Sequence, residues 1–216
     1  MCGIVGYIGK RDVVPVLLNG LKRLEYRGYD SAGLVVLDDK NNVFVKRTVG
    51  KVENLEMAIN GSSGGEPTLG IAHTRWATHG QPSEANAHPH ADCTDSFWVI
   101  HNGIIENYKE LRAVLASEGH TFKSETDTEI IAHLVEKFYN IVSGNGDTGK
   151  LFEAVRQTLR LLRGTYGIAV VSRHEPDKII GARNSSPLLI GLGENEHMVA
   201  SDASAIVNLT KSVVYL

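Results

Sequence analysis

Short apolar runs alternate with two-faced helical segments along almost the whole chain, and this alternation constrains the fold more than any other feature. Residues 4–8, Ile-Val-Gly-Tyr-Ile, form a run short enough for a buried strand, ending at Gly9. Asp12 then stands at a helix N-cap position, and Val14, Leu17, Leu18, Leu21 and Leu24 recur at helical spacing until Gly28 closes the segment. Pro15 falls in the first turn, where its missing N–H does no harm. Residues 33–37 and 43–48 read as a hairpin around 38–42, 51–59 as a short helix, 61–67 as a surface loop and 69–74 as a strand. Residues 77–96 carry Gly80, Pro82 and Pro89 with few apolar side chains, and an irregular stretch of about 20 residues inside a compact domain is usually a functional loop. A strand at 97–100 runs into Asn102-Gly103, and Asn107 stands at the cap of a helix reaching Ser117. A short strand near Thr121 is expected before a helix from about Thr126 to Asn140, followed by a helix over 150–162. Strands are expected near 165–172, 178–183, 188–191, 197–200 and 213–216. With no internal repeat and no linker, this order predicts a single α+β domain of packed sheets with helices outside. The last strand reaches Leu216, so the chain reads as a piece of something longer, cut just after a domain.

Composition removes several classes of function. The 25 acids outnumber the 22 Lys and Arg, for a net charge of −3, so no basic excess exists to neutralise a phosphate backbone and nucleic acid is not an expected partner. No apolar run reaches the ~18 residues of a membrane span. The early apolar stretch at 13–24 is broken by Pro15, Asn19, Lys22 and Arg23, which excludes a signal-peptide core. Two cysteines, Cys2 and Cys93, exclude a disulfide scaffold, leave a single bridge open, and point to a reducing cytoplasm.

Four places carry chemistry. Cys2 becomes the first residue once the initiator Met is removed, and would then hold a thiol and a free α-amine together. Their reference pKa values, about 8.5 and roughly 7.7–8.0, differ by little enough that moving the proton from sulfur to nitrogen costs about 1 kcal/mol, so one residue can supply nucleophile and base. The plainer reading is a cysteine that merely starts a buried strand. His73-Thr-Arg-Trp-Ala-Thr-His-Gly80 follows a strand and opens the long loop; Arg75 offers a planar fork for a carboxylate and Trp76 a cover against water, or else these are an interior His and Trp beside a surface Arg. Asn102-Gly103 presents a side-chain amide and an unhindered backbone N–H that could converge as an oxyanion hole, or form an ordinary turn. Ser124-Glu-Thr-Asp-Thr-Glu129 sets three acids at alternate positions where a helix begins, which suits helix capping as well as a clamp for an ammonium group.

Other patterns are discounted. Gly144-Asn-Gly-Asp-Thr-Gly-Lys150 has the spacing of a phosphate loop, but Leu151 replaces the hydroxyl that would hold magnesium, and a helix precedes it. His88-Pro-His90, Cys93 and His79 are loosely spaced like metal ligands without matching a zinc pattern, so no metal is expected. Three Asn-x-Ser/Thr triplets, at Asn60, Asn184 and Asn208, carry no weight without a secretory signal.

The opening Met-Cys-Gly-Ile-Val-Gly-Tyr resembles the start of the class II glutamine amidotransferases. Narrower blocks are Arg23-Leu-Glu-Tyr-Arg-Gly-Tyr-Asp-Ser-Ala-Gly33, the 73–80 block, His101-Asn-Gly-Ile-Ile-Glu-Asn107 and the 124–129 block. They are similar to the glutaminase domain of the glutamine–fructose-6-phosphate aminotransferase branch, and the likeness runs from Cys2 to about Leu216. The resemblance implies a four-layer αββα sandwich of the N-terminal nucleophile hydrolase type over 2–216, with the C-terminal sugar-phosphate isomerase half absent. It implies Cys2 as nucleophile with its own amine as base, Asn102 and Gly103 as the oxyanion hole, Arg75 on the glutamine α-carboxylate and Asp127 on its α-ammonium. Trp76, Thr78 and His79 match the glutamine-binding lid, and Arg27 and Gly28 match positions near the nucleophile. The implied activity is hydrolysis of L-glutamine without cofactor or metal, in the cytoplasm, feeding ammonia to a fructose-6-phosphate-binding domain in a homodimeric full-length enzyme. The alternatives are the glutaminase domain of another class II amidotransferase, acting for phosphoribosyl pyrophosphate or aspartate, and a non-catalytic glutamine-binding module. Cys2 speaks against the last, since binding needs no thiol, and residues 26–30 favour the sugar-phosphate branch by resemblance.

Overall fold

Period-two alternation in the strands decides the layering. The computed structural model describes residues 2–40, 42–60, 67–76, 80–143 and 149–216. Strands β1 (Gly3–Ile8), β2 (Ser31–Leu37), β3 (Val43–Val49), β4 (Leu69–Arg75), β9 (Leu189–Gly193), β10 (Glu196–Ala200) and β11 (Val213–Tyr215) form one antiparallel sheet in the order β11-β9-β10-β1-β4-β2-β3. Strands β5 (His90–Ala91), β6 (Phe97–Ile105), β7 (Gly164–Ser172) and β8 (Ile180–Asn184) form a second antiparallel sheet in chain order. Val5, Tyr7, Leu34 and Val36 face helices α1 (Val13–Leu24) and α2 (Val52–Ile59), while their neighbours Ile4, Val35, Leu37, Leu69 and Ile71 face the other sheet. Across that inner layer Trp98, Ile100, Ala169 and Val171 meet them. Phe97, Val99, Ile168 and Val170 point outward onto α3 (Tyr108–Ser117), α4 (Glu129–Ile141) and α5 (Gly149–Leu159). The result is a helix–sheet–sheet–helix stack, each apolar face covered by the next layer.

The local differences from expectation have physical causes. No strand forms near Thr121, because its backbone donors go to side chains rather than to a ladder: Thr121 N–H donates to Cys93 Sγ at 3.4 Å, and Lys123 and Ser124 N–H donate to the Glu129 carboxylate at 2.7 Å each. That carboxylate also ties the turn ahead of α4, so the helix starts at Glu129 rather than near Thr126. β6 does not stop before Asn102-Gly103 but continues to Ile105, paired with β7 throughout. Within the loop expected to be irregular, β5 pairs His90 with Val99 and Ala91 with Trp98. Asp12 and Asn107 take the N-cap positions of α1 and α3 without capping through their side chains; Asn107 instead links to Leu161 O and Arg163 N–H. Residues 61–66 of the expected surface loop and 144–148 of the discounted phosphate-loop pattern lie outside the described residues, and Gly149 and Lys150 of that pattern begin α5. No described helix is long and apolar enough to cross a membrane.

Candidate active site

The inner layer is apolar along most of its length and polar at one end, and alternation alone places the polar groups there. On β4, His73 and Arg75 follow Leu69 and Ile71 on the inner face; on β6, Asn102 follows Trp98 and Ile100; just before β1, Cys2 precedes Ile4 by two residues. These ends converge. Asn102 Nδ2 donates to Cys2 O at 3.2 Å, and Trp76 N–H donates to Cys2 Sγ at 3.1 Å. They open into a cleft of about 390 Å³ lined by Cys2, Arg27, Arg75, Trp76, Asn102, Gly103 and Asp127, among others.

Each member is held by its surroundings. Arg75 is buried, donates from Nη2 to Gly80 O at 3.0 Å, and lies 3.7 Å from Asp30 Oδ1. Arg27 pairs with Asp202 at 3.8 Å. Gly28 has φ +92°, and a Cβ there would fall 2.1 Å from the Trp76 ring, so only glycine lets the indole sit across this turn. Gly103 has φ +133°, and a Cβ would strike Thr165 O at 2.1 Å. Asp127 is buried, with Oδ2 accepting from Ile105 N–H at 2.7 Å. Burial pushes the Cys2 thiol above its ordinary range, opposed by the Trp76 N–H that would stabilise a thiolate. Thr78 and His79 lie outside the described residues.

Sequence reasoning treated His73 as an interior histidine and missed what it connects. Asn102 Oδ1 lies 2.9 Å from His73 Nε2, His73 Nδ1 2.9 Å from His88 Nδ1, and His88 Nε2 2.9 Å from Thr128 Oγ1. Thr128 Oγ1 in turn lies 3.0 Å from His101 Nδ1. Proton bookkeeping fixes the tautomers: Cys2 O accepts from the Asn102 amide nitrogen, so Asn102 Oδ1 faces His73 and must accept from Nε2–H. A neutral His73 then accepts from His88 Nδ1–H, and a neutral His88 accepts from the Thr128 hydroxyl. Burial holds all of these imidazoles neutral: it lowers His73 to about 3, holds His88 well below its usual value, and lowers His101. His73 is therefore a positioning residue that fixes which way the Asn102 amide points. The available signal was its place in the 73–80 block, two residues before Arg75 on the same strand face.

The neutral histidines make stability depend on pH. His73 and His90 both sit near a pKa of about 3, the latter beside Thr126 Oγ1 at 3.0 Å. Below about 6.5 the unfolded chain binds protons that the folded chain refuses, so stability falls with pH from there toward 3. At pH 5 the loss is roughly 2 kcal/mol for each of these two histidines. Urea midpoints should fall between pH 7.5 and pH 5, and His90→Gln should flatten that slope; a slope unaltered by the substitution contradicts the assignment.

The other candidates part company. His88 turns to His73 and His90 to Thr126, while Cys93 turns toward His120 and His133, so the loose His88-Pro-His90-Cys93 pattern is not one site, and His79 is not described. The three acids of the 124–129 block also diverge: Asp127 lines the cleft, Glu129 anchors the preceding turn, and Glu125 is exposed beside Asn86. His88, His101, Thr126, Thr128 and Thr165 also line the cleft, none of them given a role there by the sequence.

The profile of the glutamine amidotransferase domain family matches residues 73–208. The chain belongs to the glutamine amidotransferase domain family. The matched span contains Arg75, Asn102, Gly103 and Asp127. This amidotransferase domain is 54% identical over 218 residues to a glutamine–fructose-6-phosphate aminotransferase (isomerizing) of Chlorobaculum tepidum, and 51% identical over 216 residues to one of Symbiobacterium thermophilum. Both alignments cover 100% of this chain and 34% of the relative, so the chain spans about a third of the length of these relatives. Among solved structures, a glutamine phosphoribosylpyrophosphate amidotransferase from B. subtilis superposes with a TM-score of 0.79 at 26% identity, over 100% of this chain and 44% of that one. A glutamine aminotransferase class-II domain protein from Silicibacter pomeroyi, at 15% identity and a TM-score of 0.60 over 91% of its length, shares the fold. The amidotransferase domain thus has the four-layer αββα architecture expected of the N-terminal nucleophile type.

Proposed function

We propose that this chain is a glutaminase that hydrolyses L-glutamine through a thioester on Cys2. The carrying observation is the convergence of Cys2, Asn102 and Gly103 on one cleft that also holds a buried cation, Arg75, and a buried acid, Asp127. With Met1 removed, the Cys2 α-amine takes the thiol proton and the sulfur attacks the side-chain carboxamide carbon. Negative charge forms on the carboxamide oxygen, where Asn102 Nδ2 and Gly103 N–H are the donors. An amide nitrogen carries two hydrogens, and Asn102 commits one to Cys2 O. The protonated amine gives its proton to the departing ammonia, leaving a γ-glutamyl thioester. Water deprotonated by the same amine attacks it, and glutamate and the thiol are restored.

Arg75 and Asp127 select the free amino acid, one taking its carboxylate and the other its ammonium group. In this reading Trp76 covers the bound glutamine, and Thr78 and His79 are assigned to glutamine binding by the family resemblance alone; Gly28 leaves space for the Trp76 ring and Arg27 lines the cleft. Asp127→Asn keeps an acceptor for Ile105 N–H but removes the charge, and should lower kcat/KM for glutamine roughly 10- to 100-fold. N-acetylglutamine should be a poor substrate of the unsubstituted chain. Equal turnover of glutamine and its N-acyl derivative would remove Asp127 from the ammonium role.

The ammonia is destined, in this reading, for fructose 6-phosphate bound to a C-terminal isomerase domain, yielding glucosamine 6-phosphate in a homodimeric enzyme. Identity above 50% to aminotransferases about three times the length of this chain supports it. Two free cysteines suit a cytoplasmic, reducing setting. The deciding experiment measures glutamate release and intact mass on one preparation, after treatment with a glutamine-like diazoketone. The adduct belongs on the N-terminal peptide; labelling of Cys93 alone would overturn the assignment.

A further inference from the structure

Along α4, away from the residues that line the cleft, four ligand-type side chains meet that the glutaminase reading leaves unused. Cys93 lies in the turn after β5, His120 just beyond α3, and His133 and Glu136 one turn apart on α4. Their donor atoms all lie within 4.8 Å of one another. His120 Nδ1 is 3.2 Å from His133 Nδ1 and 3.3 Å from Glu136 Oε2. Cys93 Sγ is 3.5 Å from His133 Nδ1 and 3.8 Å from His120 Nδ1, and His133 Nδ1 is 4.0 Å from Glu136 Oε2.

We propose that Cys93, His120, His133 and Glu136 form a structural zinc site. Zinc bonds of about 2.0–2.2 Å to nitrogen or oxygen and about 2.3 Å to sulfur give a tetrahedron with edges of about 3.3 Å between nitrogens and about 3.6 Å from nitrogen to sulfur. Five of the six edges run from 3.2 to 4.0 Å, near those values, and the sixth, Cys93 to Glu136, lies within 4.8 Å. A second observation points the same way. Glu136 is 9% exposed, and its Oε2 makes no hydrogen bond among the described residues although two imidazole nitrogens face it. A carboxylate oxygen left this way in the interior is costly, and a divalent cation among the four groups satisfies it. Thr121 N–H already donates to Cys93 Sγ, the contact a metal-bound thiolate receives. With zinc on Nδ1, His133 presents Nε2–H toward Glu129 Oε1, 3.8 Å away, and Glu129 is itself fixed by Lys123 N–H, Ser124 N–H and Ser124 Oγ. Soft and nitrogen donors in tetrahedral array select zinc over magnesium or calcium, and four protein ligands close the site to substrate. Binding displaces the Cys93 thiol proton to solvent.

The site fastens together three segments that lack a sheet ladder between them: the turn after β5, the extended stretch at 120–124 and α4. That stretch leads directly into Thr126, Asp127 and Thr128 on the cleft wall, so the metal braces the wall without touching substrate. This departs from the sequence-based expectation of no metal, which grouped Cys93 with the wrong histidines.

The test uses the full chain carrying Cys2→Ala, which removes the competing thiol. The protein is stripped with a chelator and titrated with zinc alone, and in parallel with Co(II) as a spectroscopic probe. The expected result is one zinc per chain, the visible bands of tetrahedral cobalt with a thiolate ligand, and a Tm raised by zinc. Adding Cys93→Ser or His120→Gln should weaken zinc binding about 100-fold or more and remove the Tm gain. Failure of the chelated chain to take up stoichiometric zinc, an octahedral cobalt spectrum, or equal zinc affinity in the Cys93→Ser chain each overturns the proposal.

Discussion

A chain carrying Cys2→Ala is expected to release no glutamate above background while still binding glutamine. Losing the nucleophile of a covalent mechanism costs on the order of 10⁴ to 10⁶ in kcat, because binding and the oxyanion donors alone retain only a residual acceleration over water. Binding should survive, since Arg75 and Asp127 are anchored by Gly80 O and Ile105 N–H rather than by the thiol. The fold should survive as well: the thiol is partly exposed, and water can replace sulfur as acceptor for Trp76 N–H. Calorimetry with glutamine and a glutamate assay on the same sample separate the two effects. Undiminished glutamate production would end the nucleophile assignment. The same logic applies to nitrogen. A preparation whose intact mass shows Met1 retained has an amide where the base should be, and should be nearly inactive.

Asn102→Ala is expected to lower kcat by roughly 10² to 10³ with a much smaller change in KM, the usual cost of one oxyanion donor. The split arises because the donor acts on charge that develops only as sulfur attacks. Asn102 also fastens Cys2 O and is oriented by His73, so the loss should include some misplacement of the nucleophile. His73→Ala offers the companion measurement. It leaves the amide in place but frees it to rotate, so kcat should fall in the same direction and by less. A kcat for Asn102→Ala within two- to threefold of the unsubstituted chain would remove the residue from the transition state.

The sequence carried much of this because its signals are local. The apolar runs and helical periodicities yielded the order of most elements, since a strand or helix records its buried face every second or every three to four residues. The expected strands stopped at 74 and 100, short of Arg75 and Asn102; only with β4 reaching Arg75 and β6 reaching Ile105 does the same alternation put His73 with Arg75, and Asn102 with Trp98 and Ile100. Local signals failed where a backbone group is satisfied from far away. Thr121 has strand-like neighbours, yet its N–H goes to a sulfur 28 residues distant and no ladder forms. Asn102-Gly103 has the composition of a turn, yet β7 pairs with it across the sheet and keeps the strand extended. Asp12 and Asn107 have capping side chains and no capping bonds.

By itself, then, the sequence determined the alternating faces, the layer order and the chemical kinds of group on offer: a thiol at position 2, an amide beside a glycine, a guanidinium and a carboxylate. Only the tertiary structure decided which of them meet. Asn102 reaches Cys2 across 100 residues of chain, and His73 reaches Asn102 across 29. Cys93 leaves its neighbouring histidines for His133, 40 residues on. Such meetings depend on how two sheets stack and where a helix lies over them, and spacing along one chain holds no record of distances between elements that come together only on folding.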